Sequence, residues 1–328
     1  MFTPDQKKLI MKRRKFIKKS VVGGGLITLS AGSLWASVNL FGDRPVPRRI
    51  LGRSGEEISA IGFGGIMLNN EPQETCNDMI ARAFEAGIDY YDVAPTYGNA
   101  EELMGPALEP YRKRCFLSCK SAQRDREGVE REMQESFDKL RTDYFDLYQL
   151  HALTSIEDVE RSFAPGGAME AILRAREQGK VRLIGFSAHT EEAALLALEY
   201  FDFDTVMFPI NFVCWHSGNF GPRVYEKAVE RNLGIFVLKS LAERGLRSGE
   251  ERLFSNVWYK PVLDNELFDQ ALAFSLSRKV TSVIPPGDMS LFLKALDRVH
   301  HFRPLTANQE DSLRQKALQI DPLFSREV

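Results

Sequence analysis

From about residue 59 the chain repeats one pattern eight times, a short β-rich apolar run followed by a longer segment of helical period. The pairs are ISAIGFG with 73–86, IDYYD with 100–108, CFLSC with 126–140, YFDLYQL with 168–177, VRLIGFS with 191–200, TVMFPI with 222–231, GIFVL with 265–277 and TSVIP with 290–300. Strands that alternate with helices are joined by crossovers, which make neighbouring strands parallel. Eight such units in roughly 250 residues match a closed barrel. The expected fold is therefore α/β, a (β/α)8 TIM barrel, with one further C-terminal helix near 308–320.

Active sites of such barrels lie at the C-terminal ends of the strands, where the loops leading into the helices converge. Four polar residues sit there in three successive units: Asp92 and Tyr97, Lys120, and His151. Side chains alternate across a strand, so Ser118 and Phe116 share the face of Lys120, and Gln149 and Leu147 share that of His151. Cys115, Leu117, Cys119, Asp146, Tyr148 and Leu150 take the opposite faces. Each of the four is an ordinary residue taken alone, but together they suit one reaction. A tyrosine, ordinarily near pKa 10, needs a neighbouring cation to give up its proton readily. Lys120 can supply that cation, Asp92 can pair the buried lysine, and His151 can donate a hydrogen bond to a substrate oxygen. The expected chemistry is proton delivery to a carbonyl.

Several local patterns resemble the aldo-keto reductases over about residues 48–300: RRILGRSGEEISAIGFGG, AFEAGIDYYDVAPTYGNAEELMG, FLSCK, SFDKLRTDYFDLYQLH and GKVRLIGFS. The first reads as an N-terminal β-hairpin lid followed by the first strand. The resemblance implies a catalytic tetrad of Asp92, Tyr97, Lys120 and His151. It also implies reversible reduction of an aldehyde or ketone, a small-molecule carbonyl substrate, by NAD(P)H, with Tyr97 giving or taking the proton. The cofactor contacts carried over are Gly64, Gly65, Ser187, Asn211, Lys239, Ser240, Gly287 and Asp288.

Departures from the family pattern fall in three places. Ala188 stands where an asparagine usually joins Ser187 on the nicotinamide amide, and Met207 where a glutamine is usual. After the eighth strand, Pro286, Gly287, Asp288 and Phe292 replace the lysine, serine or arginine that meets the adenosine phosphate. NADP follows from the resemblance, yet a carboxylate at Asp288 would repel a 2'-phosphate and accept from a ribose hydroxyl, which leaves NAD open. Trp215 and His216 are expected in the substrate pocket, with Trp258, Tyr259 and residues 66–70 as further candidates. Metal-ligand spacing is absent, so a metal-dependent barrel hydrolase has no support and no metal is expected. A non-catalytic nucleotide-binding or sensor module on the same barrel is the alternative reading.

The first 20 residues carry eight Lys and Arg against one acid, and residues 20–42 carry no charge. A basic segment before an uncharged stretch reads as a targeting signal. The junction Lys12-Arg13-Arg14-Lys15-Phe16-Ile17-Lys18 resembles a twin-arginine export signal. The expected division is 1–42 for targeting through the export machinery and 43–328 for the barrel, placed in the periplasm or anchored in the membrane facing it. A nucleic-acid-binding patch would not need the uncharged stretch, and no nucleic-acid partner is expected. Cys115 and Cys119 cannot pair, since four residues of strand separate them by about 13 Å; Cys119 reads as a small buried apolar residue.

Overall fold

The computed structural model describes residues 45–326, so the expected targeting segment lies outside the described residues. A hairpin of β1 (Arg48–Ile50) and β2 (Glu57–Ser59) leads into β3 (Phe63–Gly64), β4 (Tyr90–Asp92), β5 (Phe116–Ser121), β6 (Phe145–Leu153), β7 (Val181–Ala188), β8 (Thr205–Pro209) and β9 (Gly234–Leu238). A second hairpin, β10 (Ala242–Gly245) and β11 (Tyr259–Pro261), precedes β12 (Ser282–Val283). Strands β3 to β9 and β12 form one eight-stranded sheet in chain order. Its neighbours pair in parallel. A parallel bridge between Ile61 and Val283 closes it. There the Gly62 amide donates to the Val283 carbonyl and the Val283 amide to the Ala60 carbonyl, both at 2.9 Å. The closed barrel expected from the alternation is the fold observed.

Side-chain alternation sorts the strand residues as expected. Tyr90, Phe116, Leu147, Met207, Phe236 and Ile284 fill the barrel, with Tyr90 stacked on Phe236 at 4.5 Å. Leu117, Cys119, Tyr148 and Leu150 belong to the layer between sheet and helices. The N-terminal hairpin is not a lid on the mouth. Leu51 and Ile58 join the interior cluster, and Leu51 lies against Gly234 at the start of β9. The hairpin therefore plugs the barrel end opposite the strand exits, where apolar interior side chains would otherwise meet water.

Around the sheet lie α1 (Gln73–Glu85), α2 (Ala100–Leu108), α3 (Arg126–Leu140), α4 (Ile156–Phe163), α5 (Ala168–Glu177), α6 (Glu191–Tyr200), α7 (Phe212–His216), α8 (Pro222–Glu230), α9 (Asn265–Leu276), α10 (Met289–Val299) and α11 (Ala307–Ala317). Helix starts are set locally: Asp125, Ser155, Thr190, Asn211, Asp264 and Asp288 each accept a backbone N–H of the first turn. Thr306 and Gln309 form a capping box. Such caps satisfy amides that have no partner within the helix. Helices α4 and α7 and the second hairpin are additions to the expected eight units. Both short helices are cued by caps, but each is too short for a periodic signal. All four cysteines are buried free thiols.

Candidate active site

Strand β4 ends at Asp92 and β5 brings Lys120 beside it from the next strand. Lys120 Nζ donates to Asp92 Oδ2 at 2.6 Å and to the Val93 carbonyl at 3.2 Å. The two side chains are only 1% and 2% exposed. Lys120 Nζ also lies 3.4 Å from the Tyr97 hydroxyl and 5.0 Å from the Tyr97 ring centroid. The His151 ring meets the Tyr97 ring edge-on at 5.8 Å, and its Nδ1 is 3.3 Å from Thr96 Oγ1. Gly98 follows Tyr97 with φ +64°, and a Cβ there would lie 2.0 Å from Asn69 Oδ1. A side chain there would be strained and would have to displace Asn69, so glycine suits the turn beside Tyr97.

The protonation states follow from the packing. Burial pulls the Lys120 ammonium down, but the Asp92 carboxylate and Tyr97 outweigh it and hold the lysine above its ordinary value. Burial pushes the Tyr97 phenol up, and the Lys120 cation offsets part of that rise. Burial, then the charge of Lys120, keeps His151 well below its ordinary value. The site at neutral pH is therefore a charged lysine, a protonated phenol and a neutral imidazole. Two proton-bearing groups and one fixed cation therefore lie together at the strand exits.

The residues expected to meet a nucleotide divide into three groups. Ser187, 1% exposed, accepts from the Ala152 amide at 2.8 Å, which leaves its own hydroxyl hydrogen free to donate. Lys239, at the exit of β9 with φ +57°, has its carbonyl held by Asn211 Nδ2 at 3.2 Å and the Ala242 amide at 2.9 Å. Its Nζ lies 5.8 Å from the Trp258 ring centroid, and among the described residues it is in no salt bridge. Burial, with the Lys120 charge, lowers it to about 8, and the neighbouring Ser240 hydroxyl is buried without a partner among the described residues. An unpaired cation and a spare hydroxyl suit a diphosphate. Gly64, Gly65, Gly287 and Asn211 serve the frame: Cβ atoms on the glycines would press on Ile284, Met104 and Ile66, and Asn211 caps α7 through the Cys214 amide. Met207 faces the apolar interior opposite Ser187 and offers no amide contact.

A family model described as the Aldo/keto reductase family matches residues 60–313. The chain belongs to this family. It is 31% identical over 153 residues to an aldo-keto reductase, YhdN, of Bacillus subtilis, covering 41% of this chain and 44% of that protein. The chain spans about half the length of the curated relatives it matches. Among solved structures, the aldo-keto reductase AKR11C1 of Bacillus halodurans superposes with a TM-score of 0.67 at 22% identity, covering 86% of this chain and 98% of that one. An aldo-keto reductase of Klebsiella pneumoniae in complex with NADPH gives a TM-score of 0.65 at 18% identity, covering 86% and 100%. These superpositions carry the barrel fold.

Not every expected site residue of this chain reaches the mouth. Trp215 and His216 lie in the helical layer: Trp215 packs on Tyr225 and Phe274 beneath the Arg278 guanidinium, and His216 packs on Phe274 near Glu310. Helix α7 carries both into the helical layer, so they are packing residues there and not the pocket residues expected. Trp258 does stand over Lys239. The loop between β10 and β11 crosses toward the exit of β3, where Asn69 Nδ2 donates to Asn256 Oδ1 at 3.2 Å. Thr96 and Arg124, which contact His151, were not among the sequence candidates. Thr96 adjoins Tyr97 and could have been found by that adjacency, whereas Arg124 sits in a polar loop, SAQRDREG, with nothing to mark it.

Proposed function

We propose that this protein reduces an aldehyde or ketone to an alcohol, reversibly, using a nicotinamide dinucleotide. The observation that carries the reading is the chain of contacts from Asp92 through Lys120 to the Tyr97 hydroxyl, with His151 beside it. The bound nucleotide would supply a hydride to the carbonyl carbon. Tyr97 then gives its proton to the oxygen as negative charge develops there, and the Lys120 ammonium stabilises the phenolate left behind. Asp92 keeps that ammonium charged in a dry site, where an unpaired cation would shed its proton. His151, neutral, donates from its single N–H to the same oxygen and orients it. Ser187, Lys239 and Ser240 are the residues that would hold the nucleotide.

NADH is the reductant we favour. Asp288 Oδ1 accepts from the Ser290 and Leu291 amides, at 2.9 and 3.3 Å, and from the Ser290 hydroxyl. The start of α10 is thus occupied by the chain's own carboxylate, whose charge opposes a 2'-phosphate. The missing amide contacts at Ala188 and Met207 support a second reading, a nucleotide-binding module without turnover. Absorbance of NADH and NADPH followed with a panel of aldehydes and ketones separates the two. Turnover by the parent, reduced roughly 10²–10⁴-fold by Tyr97→Phe with nucleotide affinity retained, supports the reductase; a Tyr97→Phe variant as active as the parent refutes it.

For residues 1–42 we infer a twin-arginine-type export signal from the basic segment and the uncharged stretch behind it, with the barrel domain placed in or facing the periplasm. A folded reporter fused after residue 42 tests this. Export that persists in an Arg13→Lys, Arg14→Lys version would show the inference wrong.

A further inference from the structure

The end of β6 carries an irregularity that the proton chemistry does not by itself require. Strand β6 pairs with β7 regularly up to Leu150 opposite Phe186, then resumes at Leu153 opposite Ala188. Two residues, His151 and Ala152, therefore face one, Ser187, which is a bulge. Ala152 takes φ +53°, a region an alanine enters only when its surroundings hold it there. The bulge lets His151 point into the mouth while Leu153 turns back into the outer apolar layer, where it is fully buried. In an unbroken strand His151 and Leu153 would share one face. The position of the imidazole thus depends on keeping one extra residue in an otherwise regular β6–β7 ladder.

A bulge also detaches backbone groups from the ladder, and here three of them, the Ala152 amide and the His151 and Ala152 carbonyls, have side-chain partners. The Ala152 amide donates to Ser187 Oγ at 2.8 Å. Arg124 Nη2 donates to the His151 and Ala152 carbonyls, at 2.8 and 3.1 Å. The same guanidinium donates through Nη1 to the Ala122 carbonyl at 3.0 Å and through Nε to Asp158 Oδ1 at 3.1 Å. Arg124 is 9% exposed and Asp158 24%. Asp158 Oδ2 is anchored in turn, accepting from the Thr154 amide and hydroxyl at 2.9 and 2.8 Å. One planar fork thereby ties the loop after β5, which begins just beyond Lys120, to the two residues that aim His151. A lysine in its place has one nitrogen and cannot span both sets of carbonyls.

We propose that Arg124, held by Asp158, is a positioning residue that fixes the bulge at His151–Ala152 and through it the place of the imidazole relative to Tyr97. This rests on the reductase reading for its kinetic consequence, though not for the geometry. The test compares the parent with Arg124→Met, Arg124→Lys and Asp158→Asn. It measures steady-state carbonyl reduction, NADH affinity, and the nitrogen-15 resonances of the His151 ring. Displacement of a reacting group by about 1 Å can cost roughly 10²-fold in rate, so Arg124→Met is expected to lose about that factor in kcat with near-parent NADH affinity. Arg124→Lys should lose at least about tenfold on the same ground, and Asp158→Asn less than either. The His151 signals should shift or broaden in the same order. If Arg124→Met does not fold, the other two variants carry the comparison.

A folded Arg124 variant with parent kcat, or one slowed while its His151 signals match the parent's, would overturn the proposal. A parent without turnover, whose His151 signals nevertheless move in the variants, would sink the reductase reading and leave the placement of His151 by Arg124 standing.

Discussion

Replacing Lys120 with methionine should separate what the buried ion pair does for folding from what it does for chemistry. Lys120 Nζ and Asp92 Oδ2 are 2.6 Å apart, and neither side chain is more than 2% exposed. Removing the cation strands a carboxylate in the barrel, and breaking a buried pair in this way costs about 3–5 kcal/mol. In a domain of this size each kcal/mol is worth about 2 °C, so Tm should fall by roughly 6–10 °C. Adding Asp92→Asn removes the stranded charge. Because a buried pair replaced by neutral groups of similar volume is often near-neutral in stability, the double variant should return to within about 1 kcal/mol of the parent. Activity should not return with it, since Tyr97 would keep the rise that burial imposes and lose the cation that offsets it. The pH dependence has a definite sign. Lys120 is held above its ordinary 10.5 when folded, so its stabilising contribution is complete below that pH and is lost as pH rises through the higher folded value. Urea unfolding of the parent, both single variants and the double variant at neutral pH and near pH 11, alongside turnover, provides the measurement. A double-mutant cycle without coupling would refute the pairing; a double variant with parent turnover would refute the role of the cation.

Three other outcomes are expected. Asp288→Asn keeps an acceptor for the start of α10 and removes its charge, so the NADPH-to-NADH affinity ratio, read by calorimetry, should rise about tenfold, the effect of 1–2 kcal/mol of relieved repulsion; an unchanged ratio would place the 2'-phosphate elsewhere. Lys239→Met should weaken binding of either nucleotide, and the parent's affinity should decline as pH rises through about 8, where unliganded Lys239 loses its proton, a decline the variant should not show. Gly105→Ala sets two effects against each other. Alanine gains about 1 kcal/mol of helix propensity, but its Cβ would lie 2.1 Å from the Lys139 carbonyl, where α2 crosses α3. Overpacking against backbone costs up to about 3 kcal/mol, so chemical unfolding should show net destabilisation.

The barrel was legible because its signal is repeated. Eight strands, the helices between them and the inward faces of β5 and β6 all follow from alternation, and the Ser118–Gln149 hydrogen bond of 2.8 Å inside the barrel shows the two faces assigned correctly. Asp92, Tyr97, Lys120 and His151 were placed together because strand exits converge by topology. What could not be read depends on local geometry without a period. Trp215 and His216 follow β8, as a pocket residue would, but a five-residue helix capped by Asn211 turns them into the helical layer. The bulge at Ala152 leaves no mark, since alanine is a poor guide to positive φ. Nor does the sequence reveal that the carboxylate of Asp288 is spent on its own helix.

The barrel closes along its thinnest edge. Strands β3 and β12 have two residues each, and the pairing of Ile61 with Val283 joins segments near opposite ends of the described chain. Such a contact repays the entropy of closing nearly the whole chain only after everything between is in place. The seam is therefore the natural last step of assembly and the first to open. Because Gly64 and Gly65 lead from that seam toward Asp92, which pairs with Gly64, whatever loosens it reaches the Asp92 carboxylate within a few residues. Slow breathing of the cylinder and the readiness of the proton donor would then share one hinge, and the amides of Gly62 and Val283 would report on both in hydrogen exchange.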